Sequence, residues 1–240
     1  MPDRRSAPRG PGLVFALVGA ESTGKSTLAA SLAQRLASDT GLHCTWVPEA
    51  LRQWCNTHQR TPQRHEQADI AQLQSQAIAE AQATHDVVIA DTTPLMTAVY
   101  HWQVFGSAEL DAAALQWQRQ HCALTLLTGL DLPWVADGFQ REGPQVREPV
   151  DARLRHLLLH SGLSFGVVRG MGPARLEAAL DAVSPLLRTP SASKAGGLFS
   201  RLAQRDANAP PWPWLCDCDS PECEHALRSM QLAGQAVLRV

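Results

Sequence analysis

An α/β fold, with helices flanking a five-stranded parallel sheet, is predicted by three observations. From residue 13 to about 188, short apolar runs alternate with segments whose apolar residues recur at helical spacing. Directly after the first apolar run comes Gly19-Ala20-Glu21-Ser22-Thr23-Gly24-Lys25-Ser26-Thr27, which fits G-x-x-x-x-G-K-S/T. A later run, Val87-Val88-Ile89-Ala90-Asp91, carries an acid at its carboxyl end, the end where open parallel sheets bind ligands. A phosphate-binding loop between a strand and a helix specifies a P-loop NTPase.

Taken in order, the strands are expected at 13–18, 43–47, 87–91, 122–127 and 163–168. A helix follows the loop, because Leu28, Ala29, Leu32, Ala33 and Leu36 continue at helical spacing. Between the second and third strands a long helix from about 64 to 84 places Ile70, Leu73, Ala77 and Ala81 on one face, expected to be core. Helices near 94–105 and 108–120 lead into the fourth strand. Another, near 151–161, ends at Gly162, suited to a left-handed closing turn. The last starts near Pro173 and is expected to end by Ser184, since Pro185 lacks a backbone donor. Residues 190–213 shift to Ser, Ala, Gly and Pro without an apolar period, the composition of a linker or an extended strap. The expected division is a disordered N-terminus at 1–12, a P-loop domain at 13–188, a linker or strap at 189–213, and a small Cys/His-rich extension at 214–240.

The 240 residues suffice for one sizeable core plus an appendage, and a hydrophobic content of 45% is ordinary for a globular chain. A net charge of -2 without a long basic run argues against nucleic acid as a main partner. The apolar stretch after the first residues is too short for a secretion signal, and no run approaches the roughly 20 apolar residues that cross a bilayer. A cytoplasmic protein with no membrane association is expected, its six cysteines thiols or metal ligands rather than disulfides. The oligomeric state is left open.

The loop's chemistry follows from its residue types. Glycines reach conformations closed to other residues, so that successive N–H groups converge on the β-phosphate of ATP, and the next helix adds its N-terminal dipole. The expected nucleotide-binding residues are Gly19, Glu21, Ser22, Thr23, Gly24, Lys25, Ser26 and Thr27. Lys25 would lie along the β- and γ-phosphates, with the Ser26 hydroxyl on Mg²⁺. Asp91 is the second expected magnesium residue, directly or through water; otherwise it caps the next helix with Thr92 and Thr93. Glu49, after the second strand, would face the same crevice and orient or deprotonate a substrate hydroxyl. Arg52, three residues on, would help clamp a polar acceptor, or form a surface ion pair with Glu49.

Two further segments are read from composition. Residues 134–147 are polar, with two glycines, a proline, and arginines at 141 and 147; this suits a mobile lid bringing Arg141 and Arg147 to the transferring phosphoryl group, or an ordinary solvated loop. Trp46, Trp54, Tyr100, Trp102 and Phe105 should border the acceptor side, one or two stacking on a planar ring and the rest in the core. In the tail, Cys216, Cys218, Cys223 and His225 could close a tetrahedral Zn²⁺ site, though C-x-C-x4-C-x-H is an uncommon spacing; free thiols on a docked tail are the alternative.

With these motifs in this order, the chain resembles the ribosylnicotinamide kinase domain of bacterial NAD-salvage regulators. The resemblance covers roughly residues 13–188 and is most specific at Gly19-Ala20-Glu21-Ser22-Thr23-Gly24-Lys25-Ser26 and at Trp134-Val135-Ala136-Asp137-Gly138. It implies ATP-dependent phosphorylation of the 5′-hydroxyl of nicotinamide riboside. The strand end departs from the pattern, reading Asp91-Thr92-Thr93 where a second acid is expected after the threonine. About twelve residues precede the first strand, so adenylyl transfer and DNA binding are not implied, and the tail lies outside the resemblance. The expected activity is a P-loop kinase acting on a small nucleoside-like substrate; the competing reading is a nucleotide-dependent switch whose tail recruits a partner.

Overall fold

The computed structural model describes residues 11–135 and 143–187, all within the first of the two units into which the chain divides, Met1–Leu198. The expected segments at 1–12 and 189–240 otherwise lie outside the described residues. Five strands, β1 (Leu13–Val18), β2 (Cys44–Val47), β3 (Val87–Asp91), β4 (Cys122–Thr128) and β5 (Phe165–Val168), form one parallel sheet in the order β2-β3-β1-β4-β5. The helices are α1 (Lys25–Thr40), α2 (Ala50–His58), α3 (Gln67–Thr84), α4 (Pro94–Phe105), α5 (Asp111–His121), α6 (Arg147–Ser161) and α7 (Gly172–Leu187).

The sheet order places the site. The chain leaves β1 for β2, fills the gap with β3, and then continues on the far side of β1. The direction of winding therefore switches beside β1, and the crevice opens at the carboxyl ends of β1 and β3. Both strands read as apolar runs because both are covered on two faces; β3 is buried throughout and β1 everywhere but Leu13. Val14, Val47, Val88, Ala90 and Ile78 of α3 pack as one cluster, while Val18, Leu95, Val99, Leu127, Val150 and Leu154 belong to another.

Three elements differ from expectation. The buried residues of α3 are Gln67, Ile70, Gln74 and Ile78, and Leu73 is 52% exposed. Of the expected face, Ile70 is buried and Ala77 and Ala81 pack against the core cluster, but the face also carries two glutamines because it meets the crevice loops, Gln74 Oε1 accepting from the Ala50 N–H at 2.6 Å, so an apolar count misplaces Leu73 alone. Helix α2 was not expected as an element; it is one short segment, closed by Gln59 in a left-handed conformation at φ 55°. Helix α7 runs past Pro185 to Leu187, since a proline this near the end forfeits little of the hydrogen-bond ladder.

Candidate functional site

The loop after β1 is shaped around its phosphate-binding backbone. Gly19 (φ 152°) has no room for a side chain, because a β-carbon there would sit 2.0 Å from Thr128 Oγ1. Gly24 (φ 75°) caps α1, so that the helix N-terminus faces the crevice. The Thr23 hydroxyl donates to Ala20 O at 2.8 Å, and Thr128 of β4 donates to the Thr23 hydroxyl at 2.7 Å, pinning the loop to the sheet. Lys25 is 7% exposed and its ammonium donates to the loop's own carbonyls, Gly19 O at 2.9 Å and Ala20 O at 2.8 Å. The positive charge is thus held at the mouth of the loop. Ser26 and Thr27 occupy the first turn of α1.

On the neighbouring strand Asp91 pairs with Leu17 in register, which brings its carboxylate alongside the loop's entrance. Thr92 then takes φ 73°, a conformation that costs a β-branched residue roughly 1–3 kcal/mol, and turns the chain out of the sheet with its N–H on Leu17 O at 3.1 Å. Thr93 is the N-cap of α4, but its hydroxyl donates to Gln118 Oε1 at 2.8 Å, so Asp91 is not the cap. Asp91 is 2% exposed and its Oδ1 has no hydrogen-bond partner among the described residues. A buried carboxylate oxygen without a donor beside a phosphate loop fits a cation, so Asp91 and Ser26 are suited to hold Mg²⁺, which would screen the phosphate charge. Asp91→Asn is expected to lower turnover and raise the Mg²⁺ concentration for half-maximal rate severalfold, read by titrating Mg²⁺ at fixed ATP; an unchanged curve would remove Asp91 from this role.

From the loop a cavity of about 190 Å³ extends between α2, the start of α3 and α4. Glu21 and Lys25 line it from the phosphate loop, Glu49 and Arg52 from the end of β2 and the start of α2. Glu49 occupies the N-cap position of α2 without capping it, and Arg52 Nε lies 3.4 Å from Glu49 Oε2. The structure thus brings Lys25, Glu49 and Arg52 to one cavity. Gln67, Tyr100, Gln103, Cys55 and Thr61 complete its polar lining, and composition had singled out only Tyr100 among them. Burial, with the Glu49 carboxylate adding, pushes the Cys55 thiol up to about 11, so it is a neutral wall group rather than a nucleophile. Trp46 is exposed on the sheet's edge strand, Trp54 stacks on His58, and Trp102 lies beneath Arg153.

Arg147 opens α6, and its guanidinium donates to Leu132 O at 2.9 Å and Leu130 O at 3.4 Å. It anchors the loop after β4. At the start of the expected lid, Val135 exchanges hydrogen bonds with the Ser22 hydroxyl at 2.7 and 3.2 Å, tying that segment to the phosphate loop. Arg141 and residues 136–142 lie outside the described residues, as do Cys216, Cys218, Cys223 and His225. Among the described residues no cluster of three metal-binding side chains occurs. Arg175 was missed altogether: from α7 it reaches Thr23 O, Gly129 O, Gly170 O and Asp131 Oδ1. Nothing in its local sequence marks it, because all its partners but Gly170 come from two distant loops, the phosphate loop and the turn after β4.

This fold and loop define a P-loop nucleotide-binding domain of the α/β class. Residues 14–175 match the family described as AAA domain, and the chain belongs to that family. No curated protein matches the sequence. Among solved structures, NadR protein in complex with NR is similar at a TM-score of 0.60 and 20% identity, over 72% of this chain and 51% of that one. NadR protein in complex with NAD and AMP-PNP is similar at a TM-score of 0.57 and 19% identity, over 72% and 49%. The chain spans about half the length of these proteins, and at such identities the likeness is one of fold. No helix of the described residues is long and apolar enough to cross a membrane.

Proposed function

We propose that this domain is a small-molecule kinase that transfers the γ-phosphoryl group of ATP to a hydroxyl of a nucleoside-like acceptor, nicotinamide riboside being the acceptor of choice. The observation that carries the reading is the continuous cavity joining Lys25 of the phosphate loop to Glu49 and Arg52. A switch would need no such room beside the phosphates. Of the five aromatic residues considered for this face, Tyr100 alone lines the cavity, which stays open for a ligand. The NadR structures, with NR in one and AMP-PNP in the other, support the choice of acceptor and of ATP.

In this reading the acceptor oxygen attacks the γ-phosphorus, the bond to the β-phosphate oxygen breaks, and ADP leaves. Glu49 orients the hydroxyl and receives its proton, and Arg52 holds Glu49 and the acceptor's polar edge. Lys25 moves from the loop carbonyls to the phosphates, and α1 offers its N-terminal N–H groups to them. Ser26 and Asp91 would hold Mg²⁺, which when bound would screen the phosphate charge. Arg147 positions the loop after β4, and Arg141 is left as the lid arginine. A structural Zn²⁺ on the tail cysteines and His225, tested by elemental analysis, stands apart from this chemistry.

The test is ATP consumption by the purified chain with Mg²⁺, with and without nicotinamide riboside, and the mass of the product. Stimulation with formation of the mononucleotide is expected. Hydrolysis that ignores the riboside would move the acceptor elsewhere or favour the switch.

A further inference from the structure

Among the residues lining the cavity, Gln67 is distinguished by what its side chain lacks. It is 3% exposed, and its Oε1 has no hydrogen-bond partner among the described residues. Leaving a buried amide oxygen without a donor costs roughly 1–3 kcal/mol, a penalty that persists where a ligand relieves it.

Its height in the crevice follows from element lengths. Helix α3 has 18 residues and β3 has five, which correspond to roughly 27 Å and 17 Å. The two are joined by a tight connection at the amino end of the strand, where His85 N–H bonds to Ala81 O. The N-terminus of α3, where Gln67 sits, therefore rises about 10 Å beyond the carboxyl edge of the sheet. Lys25 and Glu49 lie at that edge. An acceptor with its hydroxyl at Glu49 has its far end, the ring, at the level of Gln67.

Leu51, Pro62, Val104 and Val146 are the cavity's apolar lining, and Tyr100, Gln103 and Thr61 add uncharged polar groups. The arginine that lines the cavity, Arg52, faces Glu49 at 3.4 Å, so a negatively charged substituent on the ring would have to compete with that carboxylate for it. Arg64, near the start of α3, is paired with Glu109 at 2.8 Å and does not line the cavity.

The geometry points to Gln67 as the residue that reads the acceptor's ring, selecting an uncharged carboxamide over the corresponding carboxylate. This rests on the nucleoside-acceptor reading above. A carboxamide both donates and accepts, so it pairs reciprocally with the Gln67 amide and supplies the donor that Oε1 lacks. A carboxylate only accepts: it leaves Oε1 unpaired and brings a negative charge against it in a desolvated wall. Sites built around such a hydrogen bond discriminate against analogues that cannot make it far better than apolar pockets do.

The experiment compares kcat/KM for nicotinamide riboside and nicotinic acid riboside in the full chain and in Gln67→Leu and Gln67→Glu, with calorimetric binding of both ribosides as a second readout. The unaltered protein is expected to prefer the amide at least tenfold. Gln67→Leu should shrink that ratio about tenfold, chiefly by loss of the amide substrate. Gln67→Glu keeps the shape and places an acid in the first turn of α3, where the dipole favours it, so it serves where the leucine variant folds poorly. It should still accept the amide's N–H and reject the acid more strongly, raising the ratio. An unaltered protein that uses both ribosides equally, or variants with an unchanged ratio, would overturn the assignment to Gln67 and leave the kinase reading standing. An unaltered protein that neither binds nor phosphorylates either riboside would bring down the acceptor reading itself.

Discussion

Lys25→Ala is expected to lower nucleotide turnover by at least 10²- to 10³-fold, the range for removing a principal charge-stabilising donor from a preorganised site. The prediction follows from where the ammonium is held. With Nζ on Gly19 O and Ala20 O, the charge sits inside the arc that the loop's N–H groups are shaped to offer a phosphate, and it is nearly sequestered from water. No other lysine or arginine of the described cavity comes from the loop, and Arg52, across the cavity, already faces Glu49. The fold should survive, because Lys25 itself lines the cavity, so water can enter the space its side chain leaves. Turnover of Mg²⁺-ATP and a thermal melt on the same sample check both halves. Lys25→Arg should not restore the rate, since a planar fork does not fit a socket made for a compact ammonium. A variant that hydrolyses ATP at the original rate would remove the phosphate-site assignment.

Sequence reading recovered those parts of this protein that are coded locally. The strands were legible as apolar runs because a parallel sheet buries both faces, and the loop was legible because glycines at positions 19 and 24 meet steric demands no other residue meets. Asp91 was legible from its place at the end of such a run. Of the cavity's polar wall, Glu49 and Arg52 were legible from their place after the second strand, and Gln67 was not. Gln67 and Gln74 occupy positions on α3 that an apolar count reads as solvent-facing, and their burial depends on α2 and the crevice loops lying against them. Leu73, taken for core, faces outward for the same reason. Gln118 is a further case: it is fully buried because the hydroxyls of Thr93 and Thr125 satisfy it from two other elements. Residues that work through partners distant in the chain leave no spacing to recognise.

Arg175 is the strongest example of such a residue, and Arg175→Met is expected to destabilise the domain by roughly 3 kcal/mol. On a domain of this size that corresponds to a fall in melting temperature of roughly 6–12 °C. Arg175 is 4% exposed and donates to Thr23 O at 2.9 Å, Gly129 O at 3.2 Å and Gly170 O at 2.8 Å, with Asp131 Oδ1 at 3.1 Å. Methionine fills much of the volume but satisfies none of these acceptors. Two of them, Thr23 O and Gly129 O, belong to the phosphate loop and to the turn after β4, so nucleotide affinity should fall along with stability. The effect has a pH signature. Burial pushes the Asp131 carboxyl up, but the Gly170 N–H and Arg175 outweigh it, and the net pKa lies below the ordinary value of 3.8. A lowered folded-state pKa gives stability that is present above the unfolded pKa and lost as pH falls through the folded one. The gap between the original protein and Arg175→Met should therefore be widest near neutrality and narrow below about pH 4. Arg175→Lys, which keeps the charge but cannot reach four acceptors at once, should fall between them. Melting curves for the three proteins across pH decide the matter, and a methionine variant that melts with the original protein at neutral pH would show that the loop does not depend on this arginine.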